Sequence, residues 1–403
     1  MKENKKSLLS KDKVWDFMKT TGIQLLAGGI IGIFIAVIFI EQDFSLPDDY
    51  TALPFYINIL IFLITYFVLI AVHELGHFFT FIRNNIDMRA LFLMVFMVIK
   101  ENGKWCFKFK PNKLTSTGGI AIPDVDIVQD KDDLKQVQRG FAKALIAGPI
   151  ASIVFGFISS AIILPLMLVI DNIYLKSILF TILSSTVVIT LFITIICFFK
   201  NEMVIGDFPA YMMARSDDFF VAMQFYQYAV FSSDFERIRS ENKYLKSVLS
   251  RGLARKLEEK DLHVYTLQII DTLLVEYLAG VSEELPEVID QYVNFLLNND
   301  EAFEKVKDSE QAMVLWFHIV RLLYINRSEK EKAEELFDEI KRRVKKKDPV
   351  ARYLIKQTEH VLGIKDHSEY LKDKKNINTS SADGLFKNFE GYYIDEMILN
   401  RIN

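Results

Sequence analysis

This sequence of 403 residues contains few cysteines and few histidines, and its basic residues form no stripe. The two cysteines, Cys106 and Cys197, are far apart and lack CxxC spacing, which argues against a disulfide framework and fits a reducing compartment. Because Cys197 lies in an apolar run, we interpret it as a small core or lipid-facing residue. The net charge is -4 and no basic stripe carries interleaved aromatic residues, so we expect no nucleic-acid partner.

Charged residues are also nearly absent from long stretches of the first half. Apolar residues make up 51% of the chain and its mean hydropathy is +0.19, which is more apolar than is usual for a soluble globular protein. The long apolar runs lie before residue 200 and the dense charge lies after it. This split predicts a membrane domain followed by a soluble domain of similar size.

Four apolar runs reach the length of about 20 residues that an α-helix needs to cross a bilayer. They are residues 22–40, 55–72, 144–170 and 177–199. No small-residue cleavage pattern closely follows the first run, which we therefore expect to be a retained anchor. The lysine-rich start and the basic connection 83–143 indicate the cytosolic side, whereas loop 41–54 is acidic and external. We expect a multi-pass protein of a bacterial cell membrane with both termini in the cytosol.

Three short patterns between the second and third runs predict strands. The apolar segment 90–99 is too short to span, residues 105–110 alternate in polarity, and residues 117–123 contain two adjacent glycines. Such backbone is tolerated at membrane depth when it packs in protein or faces a wet cavity. The predicted fold class of this half is an all-α polytopic membrane domain with about four spans and a small membrane-associated β segment.

The second half shows amphipathic helical patterns separated by short polar breaks. They predict a C-terminal α-helical soluble domain, either a solenoid of stacked helix pairs or a plain bundle, that is suited to a protein partner. The predicted domains are a cytosolic N-terminal segment at 1–21, a transmembrane domain at 22–214, a cytosolic helical domain at 215–375 and a flexible C-terminal tail at 376–403.

The second apolar run continues into the sequence His73-Glu74-Leu75-Gly76-His77. Residues four apart on a helix lie about 40° apart in azimuth and one turn apart along the axis. His73 and His77 are therefore expected to bind one zinc ion, and Glu74 to act as the general base on water. Ionisable side chains inside a span are costly and usually functional. The opposing interpretation is a buried polar cluster that joins helices or lines a proton path.

A tetrahedral catalytic zinc needs a third protein ligand, and the first half contains no further histidine. The ligand must be a carboxylate or a cysteine at the same depth, near the inner face. Asp207 is our candidate, because Gly206 and Pro209 beside it predict a bent backbone that returns towards the metal. Glu202 is the competing ligand, and an N-cap is the alternative role of Asp207. We expect one Zn²⁺ per chain.

These motifs resemble those of the site-2 protease family of intramembrane metalloproteases over about residues 55–215. The sequence HELGH at 73–77 resembles the family's zinc and base motif, and AGPIAS at 147–152 resembles its small-residue box AGPxxN. The segment around Asp207 resembles the later motif whose aspartate is the third zinc ligand. The chain departs from the family at Ser152, which replaces asparagine, and at Asp207, which follows a glycine instead of preceding one.

The segment Gly118-Gly119-Ile120-Ala121 resembles the strand region of that family. The resemblance implies that this region binds an unwound substrate, because an added strand satisfies the backbone groups that unwinding exposes. An ordinary glycine turn is the alternative interpretation.

The predicted function is an intramembrane zinc metalloprotease that cleaves membrane proteins or hydrophobic peptides near the cytosolic face of the bilayer. The resemblance implies regulated intramembrane proteolysis, or the processing of signal-peptide-like peptides. The alternative is a non-catalytic membrane receptor or scaffold whose helical domain binds protein partners. A transporter with a His/Glu relay would need more intramembrane charge and internal repeats than the sequence contains.

Overall fold

A computed structural model describes residues 50–112, 115, 118–200, 205–304, 309–344, 348–373, 376, 385–386 and 389–400. The predicted anchor at 22–40 and the segment 1–21 lie outside these residues. The chain forms two compact units. The membrane unit comprises Met1–Pro123, Ala142–Phe199 and Gly206–Tyr211, and the helical unit comprises Asp124–Phe141, Lys200–Ile205 and Met212–Asn403. The domain boundaries predicted from the sequence stay predictions.

Three helices among the described residues are long and apolar enough to cross a membrane: α1 (Phe55–Arg83), α2 (Lys131–Val169) and α3 (Ile173–Ile196). They correspond to the second, third and fourth predicted runs. The helix α2 begins well before the predicted run and continues through Pro149 and Pro165. These helices make the chain a membrane protein of mostly helical class.

A four-stranded sheet follows α1, after a turn in which Asn85 adopts a left-handed conformation with φ of 59°. Its strands lie in the order β3-β2-β1-β4. They are β1 (Asp87–Leu93), β2 (Phe96–Glu101), β3 (Lys104–Phe109) and β4 (Gly119–Asp124). The first three strands are antiparallel hairpins, and the turn Asn102-Gly103 between β2 and β3 has positive φ at both residues, as a type I′ turn requires.

The segment 90–99, which the sequence predicts as one short strand, in fact contains a turn. Leu93 pairs with Phe96, and Met94 between them has a φ of 52°. The apolar side chains alternate in burial across this hairpin, with Met97 and Ile99 fully buried. A continuous apolar run conceals such a turn because no glycine or proline marks it.

The helical unit is built from short amphipathic helices. After α4 (Asp207–Ser216), which begins in the membrane unit, they are α5 (Asp218–Tyr228), α6 (Phe235–Glu241), α7 (Lys243–Glu258), α8 (Val264–Leu278), α9 (Glu287–Leu297), α10 (Asp300–Glu304), α11 (Glu310–Arg321), α12 (Lys330–Arg343), α13 (Pro349–Val361), α14 (Ser368–Lys372) and α15 (Ile394–Leu399). The central helix is α11, which packs on α8, α12 and α13. The helices α8, α11 and α13 therefore form a row, in which α11 contacts the other two. Stacked helix pairs produce such a row from the first helix of each pair.

Candidate active site

The three titratable residues of the HELGH motif lie on α1, and all three are buried. Charged or polar side chains placed in an apolar helix need partners, because an unpaired polar group in an apolar surrounding costs several kcal/mol. The partners come from α2, from β4 and from the start of α4, all within the membrane unit.

One oxygen and two nitrogen atoms converge at this point. Nε2 of His73 lies 3.1 Å from Nε2 of His77 and 3.1 Å from Oδ2 of Asp207, and the His77 nitrogen lies 3.8 Å from the same oxygen. The structure thus brings together the three residues that the sequence predicts as metal ligands. Their role as ligands stays a prediction.

The other nitrogen of each imidazole has a partner of its own. Nδ1 of His77 lies 2.7 Å from the carbonyl oxygen of Ala144, which only accepts hydrogen bonds, so Nδ1 carries the proton. Nδ1 of His73 lies 3.1 Å from Oγ of Ser152, whose hydroxyl donates to the carbonyl of Gly148. Ser152 therefore accepts from His73. The Nε2 atoms of the two rings face each other and Oδ2 of Asp207.

Small residues allow α1 and α2 to approach closely enough for these contacts. A Cβ atom at Gly148 would lie 2.3 Å from Nε2 of His77, and one at Gly76 would lie 2.7 Å from the carbonyl oxygen of Ala147. The glycine of each motif therefore accommodates the other helix. This packing explains why the HELGH and AGPIAS segments occur in one site.

Contacts between residues 199–200 and residues 205–206 bring the chain back to the site after α3. The N–H of Gly206 donates to the carbonyl of Phe199 at 2.7 Å, and Lys200 pairs with Ile205 in an antiparallel bridge. A Cβ atom at Gly206 would lie 2.5 Å from the carbonyl oxygen of Cys197, so the approach requires glycine. These contacts leave Asp207 at the first position of α4. The competing candidate, Glu202, lies outside the described residues.

The side chain of Cys197 also reaches the site, a contact that the sequence interpretation missed. Its Sγ lies 3.2 Å from Oδ2 of Asp207, close enough for the thiol to donate to the carboxylate. His73, Cys197 and Asp207 present possible ligand atoms within 4.8 Å of one another. The residue is buried, as a core residue is, but its apolar neighbours in sequence give no sign of this polar contact.

The glycine-containing segment predicted to bind substrate lies beside the predicted base. Gly119, Ile120 and Ala121 begin β4, the last strand of the sheet order, and Gly118 directly precedes it. The carboxylate of Glu74 accepts a hydrogen bond from the backbone N–H of Ala121. A Cβ atom at Gly119 would lie 2.3 Å from Cγ of Glu74, whereas one at Gly118 would meet nothing within 4 Å.

The donor set fits a catalytic zinc ion. Two imidazole nitrogens and one carboxylate oxygen are typical zinc ligands, at about 2.0–2.2 Å from the metal in tetrahedral geometry. That geometry separates neighbouring ligand atoms by about 3.3 Å. The three distances among the Nε2 and Oδ2 atoms, 3.1, 3.1 and 3.8 Å, lie around this value. Three ligands leave a fourth position for water or substrate.

The model of peptidase family M50 matches residues 61–359, roughly three quarters of the chain. The matched range includes all the residues of the site and continues through most of the helical unit. No curated protein and no solved structure matches the chain.

Proposed function

This chain belongs to peptidase family M50 and is an intramembrane metalloprotease, and we propose that its metal is zinc, held by His73, His77 and Asp207. The observation that carries this proposal is the convergence of two imidazole nitrogens and one carboxylate oxygen within 3.1 to 3.8 Å of one another. With both Nε2 atoms unprotonated, these three acceptors repel one another unless a cation lies between them. The Nδ1 contacts with Ala144 and Ser152 keep both imidazoles in the tautomer that binds a metal.

The bound zinc ion supplies a Lewis acid that polarises the scissile carbonyl group and makes water a nucleophile at neutral pH. Glu74 takes a proton from the attacking water and delivers it to the nitrogen of the leaving amine. The water oxygen bonds to the carbonyl carbon as it loses this proton, and the C–N bond breaks afterwards, when the amine nitrogen receives the proton. The position of Glu74 suits this role, because it follows the first ligand directly and also contacts β4.

We further propose that substrate adds to the sheet along β4. A transmembrane substrate must be unwound before its peptide bond can be cleaved, and the exposed backbone groups then need partners. An edge strand provides such partners. Because Glu74 hydrogen-bonds to Ala121 of β4, a segment held along that strand passes close to the base. The substrates are membrane proteins or hydrophobic peptides cut near the cytosolic face, with both termini of the chain on that side.

A reconstituted preparation of the full chain tests the zinc proposal. We expect about one zinc ion per chain in the wild type and in Glu74→Gln, and strongly reduced zinc in Asp207→Asn. Membrane peptides of cells that express the wild type or Glu74→Gln are compared by mass spectrometry, and cleavage products should be absent from the variant. Glu101→Gln, on β2, serves as the matched control and should retain both zinc and cleavage.

Full cleavage by Glu74→Gln would exclude its role as base, and unchanged zinc affinity in Asp207→Asn would assign the third ligand elsewhere. The receptor or scaffold alternative predicts no cleavage products in any of these strains.

The neighbouring glycines of the β4 region test the substrate proposal. Gly119→Ala inserts a methyl group against Glu74, whereas Gly118→Ala enters open space. We expect cleavage to fall at least tenfold in the first variant and to stay near the wild-type level in the second, with zinc content unchanged in both. Equal cleavage by the two variants would refute a substrate path along β4.

A further inference from the structure

The C-terminal segment of the chain, residues 389–400, lies against the helices α6, α8, α11 and α13. It contains a 3₁₀ turn at Glu390–Tyr392 and the short helix α15. Phe389 and Leu399, near its two ends, are buried. Gly391 packs so tightly that a Cβ atom there would lie 2.5 Å from the carbonyl oxygen of Val230. The segment is thus held at both ends by close packing.

An acidic pair in the middle of the segment meets buried donors from two different helices. Nη1 of Arg239 on α6 donates to Oδ1 of Asp395 at 3.1 Å, and Nη2 of the same guanidinium lies 2.9 Å from Oδ2 as an ion pair. The amide of Gln357 on α13 donates to Glu396 at 2.8 Å, and the hydroxyl of Tyr353 lies 3.2 Å from the same carboxylate. A hydrogen bond between two charged groups is roughly twice as strong as one between neutral groups.

The end of the segment is recognised through polar groups as well. Arg321 on α11 donates to the backbone carbonyl of Leu399. Gln357 donates to Oδ1 of Asn400 at 2.9 Å, and the Asn400 amide donates to the carbonyl of Leu371 at 3.3 Å. We call the surface formed by Arg239, His318, Arg321, Tyr353 and Gln357 the acid-binding groove; all five side chains are buried.

The helix α15 contacts its neighbours mainly through polar groups. Of its six residues only Leu399 is buried, whereas nine residues of the twelve-residue helix α11 are buried. The sequence between α14 and this segment, residues 373–388, is rich in lysine, asparagine and serine. Buried donors that match a charged pair contribute to specificity more than to affinity. Another segment with the same charged pair can therefore take the place of residues 389–400.

We propose that the acid-binding groove is a peptide-docking site that the chain's own residues 389–400 occupy in cis. Its partner in trans is a protein segment of the same chemistry, with an aromatic anchor, an adjacent Asp-Glu pair and a leucine three residues after the glutamate. Such a partner displaces the C-terminal segment by making the same contacts. This proposal is independent of the protease chemistry, because every residue in it lies in the helical unit.

Tethering sets the strength of the competition. A segment joined by a short linker has an effective concentration in the millimolar range, which weakens binding of an identical free peptide by about 10²–10⁴-fold. A chain whose own segment has been released should therefore bind the free peptide at least about a hundredfold more tightly than the wild type does.

The probe is a fluorescein-labelled synthetic peptide of residues 385–403, and the protein is the full chain in detergent. The release variant, Asp395→Lys with Glu396→Lys, sets positive charge against Arg239 and His318. We expect weak peptide binding by the wild type and binding by the release variant that is at least about a hundredfold tighter. The matched control, Glu283→Lys with Glu284→Lys, reverses an exposed adjacent acidic pair and should bind as the wild type does.

The contacts within the acid-binding groove provide a second test of the proposal. Gln357→Ala in the release variant should weaken peptide binding about tenfold, and a peptide that carries the two lysine substitutions should not bind. In the wild type, excess unlabelled peptide should accelerate hydrogen exchange of the amides at residues 396–400, a readout that does not require any variant to fold.

Equal peptide binding by wild type, release variant and control would overturn the proposal, as would exchange at residues 396–400 that does not respond to peptide. Concentration-dependent dimerisation of the wild type, abolished in the release variant, would assign the groove to the segment of a second copy and would also overturn occupation in cis.

Discussion

The two units of this protein bury titratable side chains in opposite patterns. In the membrane unit, His73, His77 and Asp207 point acceptor atoms at one another across 3.1 to 3.8 Å. In the helical unit, the carboxylate of Glu276 faces a donor, the guanidinium of Arg239, at 2.9 Å. The first cluster could hold a cation, whereas the carboxylate of the second is matched by donors of its own unit.

This difference is more informative than burial itself. Structural ion pairs and functional sites both perturb buried titratable groups, so burial alone does not distinguish them. The number of hydrogen-bond donors and acceptors around each buried group does distinguish them. The helical unit's Glu276 accepts from Tyr226, Arg239 and Lys246 at 2.5 to 2.9 Å, which uses its acceptor capacity within the protein. In the membrane unit, the Nε2 atoms of His73 and His77 and Oδ2 of Asp207 have capacity left for an ion, although the thiol of Cys197 also lies within donating distance of that oxygen.

The largest expected effect comes from moving one acceptor of the membrane cluster. A Cβ atom at Gly148 would lie 2.3 Å from Nε2 of His77, whereas one at Gly156 in the same helix lies 3.0 Å from its nearest neighbour, an oxygen of Thr190. Gly148→Ala should displace the imidazole and weaken zinc affinity about a thousandfold, or about 4 kcal/mol. Competitive chelator titration measures this affinity.

Gly156→Ala is the matched control for that experiment. Alanine has a higher helix propensity than glycine, so neither substitution weakens α2 itself. Wild-type zinc affinity in Gly148→Ala would show that the converging geometry around His77 is not what binds the metal.

A second substitution tests the matched network of the helical unit. Glu276→Ala leaves the buried guanidinium of Arg239 with Asp395 alone and removes the acceptor of Tyr226 and Lys246, which should cost about 3–5 kcal/mol of unfolding free energy in the helical unit. Zinc content should not change, because the matched network takes no part in metal binding. Thermal unfolding and metal analysis of the same preparation measure the two effects.

Glu283→Ala removes an exposed carboxylate of the same unit and should leave both quantities at their wild-type values. A loss of zinc in Glu276→Ala, with the helical unit still folded, would refute the separation of the two networks.

The sequence predicts local features of the membrane unit well, because their signals lie within one segment. Apolar length identifies the three described spans, and spacing on one helix places His73 and His77 together. The approach of Asp207 could also be anticipated, because glycine and proline beside it indicate a bend. The family relationship found from these motifs is confirmed by the match over residues 61–359.

The contacts that complete each cluster could not be predicted, because they join residues far apart in the chain. Ser152 meets His73 only once α1 and α2 pack through their glycines, and no periodicity encodes that register. Cys197 reads as apolar because its sequence neighbours are apolar. In the helical unit, the partner of Asp395 is Arg239, and such long-range pairing leaves no trace in local composition.

The prediction with the smallest expected effect concerns the response of the matched network in the helical unit to pH. His318 on α11 is buried, and burial disfavours its charged form. The carboxylates of Asp271 on α8, at 2.6 Å, and of Glu396 on α15 outweigh burial and raise the pKa of His318, although Arg321 on the same helix opposes them. A raised folded-state pKa means that the stabilisation is complete below the unfolded value of about 6.5 and is lost as pH rises through the folded value.

We therefore expect the thermal midpoint of the helical unit to fall by about 2–4 °C as pH rises from 6 through this transition. His318→Gln should flatten that dependence, because glutamine keeps a donor for Asp271 but does not titrate. His263→Asn is the control, since it removes another histidine while keeping an acceptor at the N-cap of α8. A midpoint that rises with pH, or a slope retained in His318→Gln, would mean that the carboxylates of this network are satisfied without the protonated imidazole. The contrast with the membrane unit would then rest on the arginines alone.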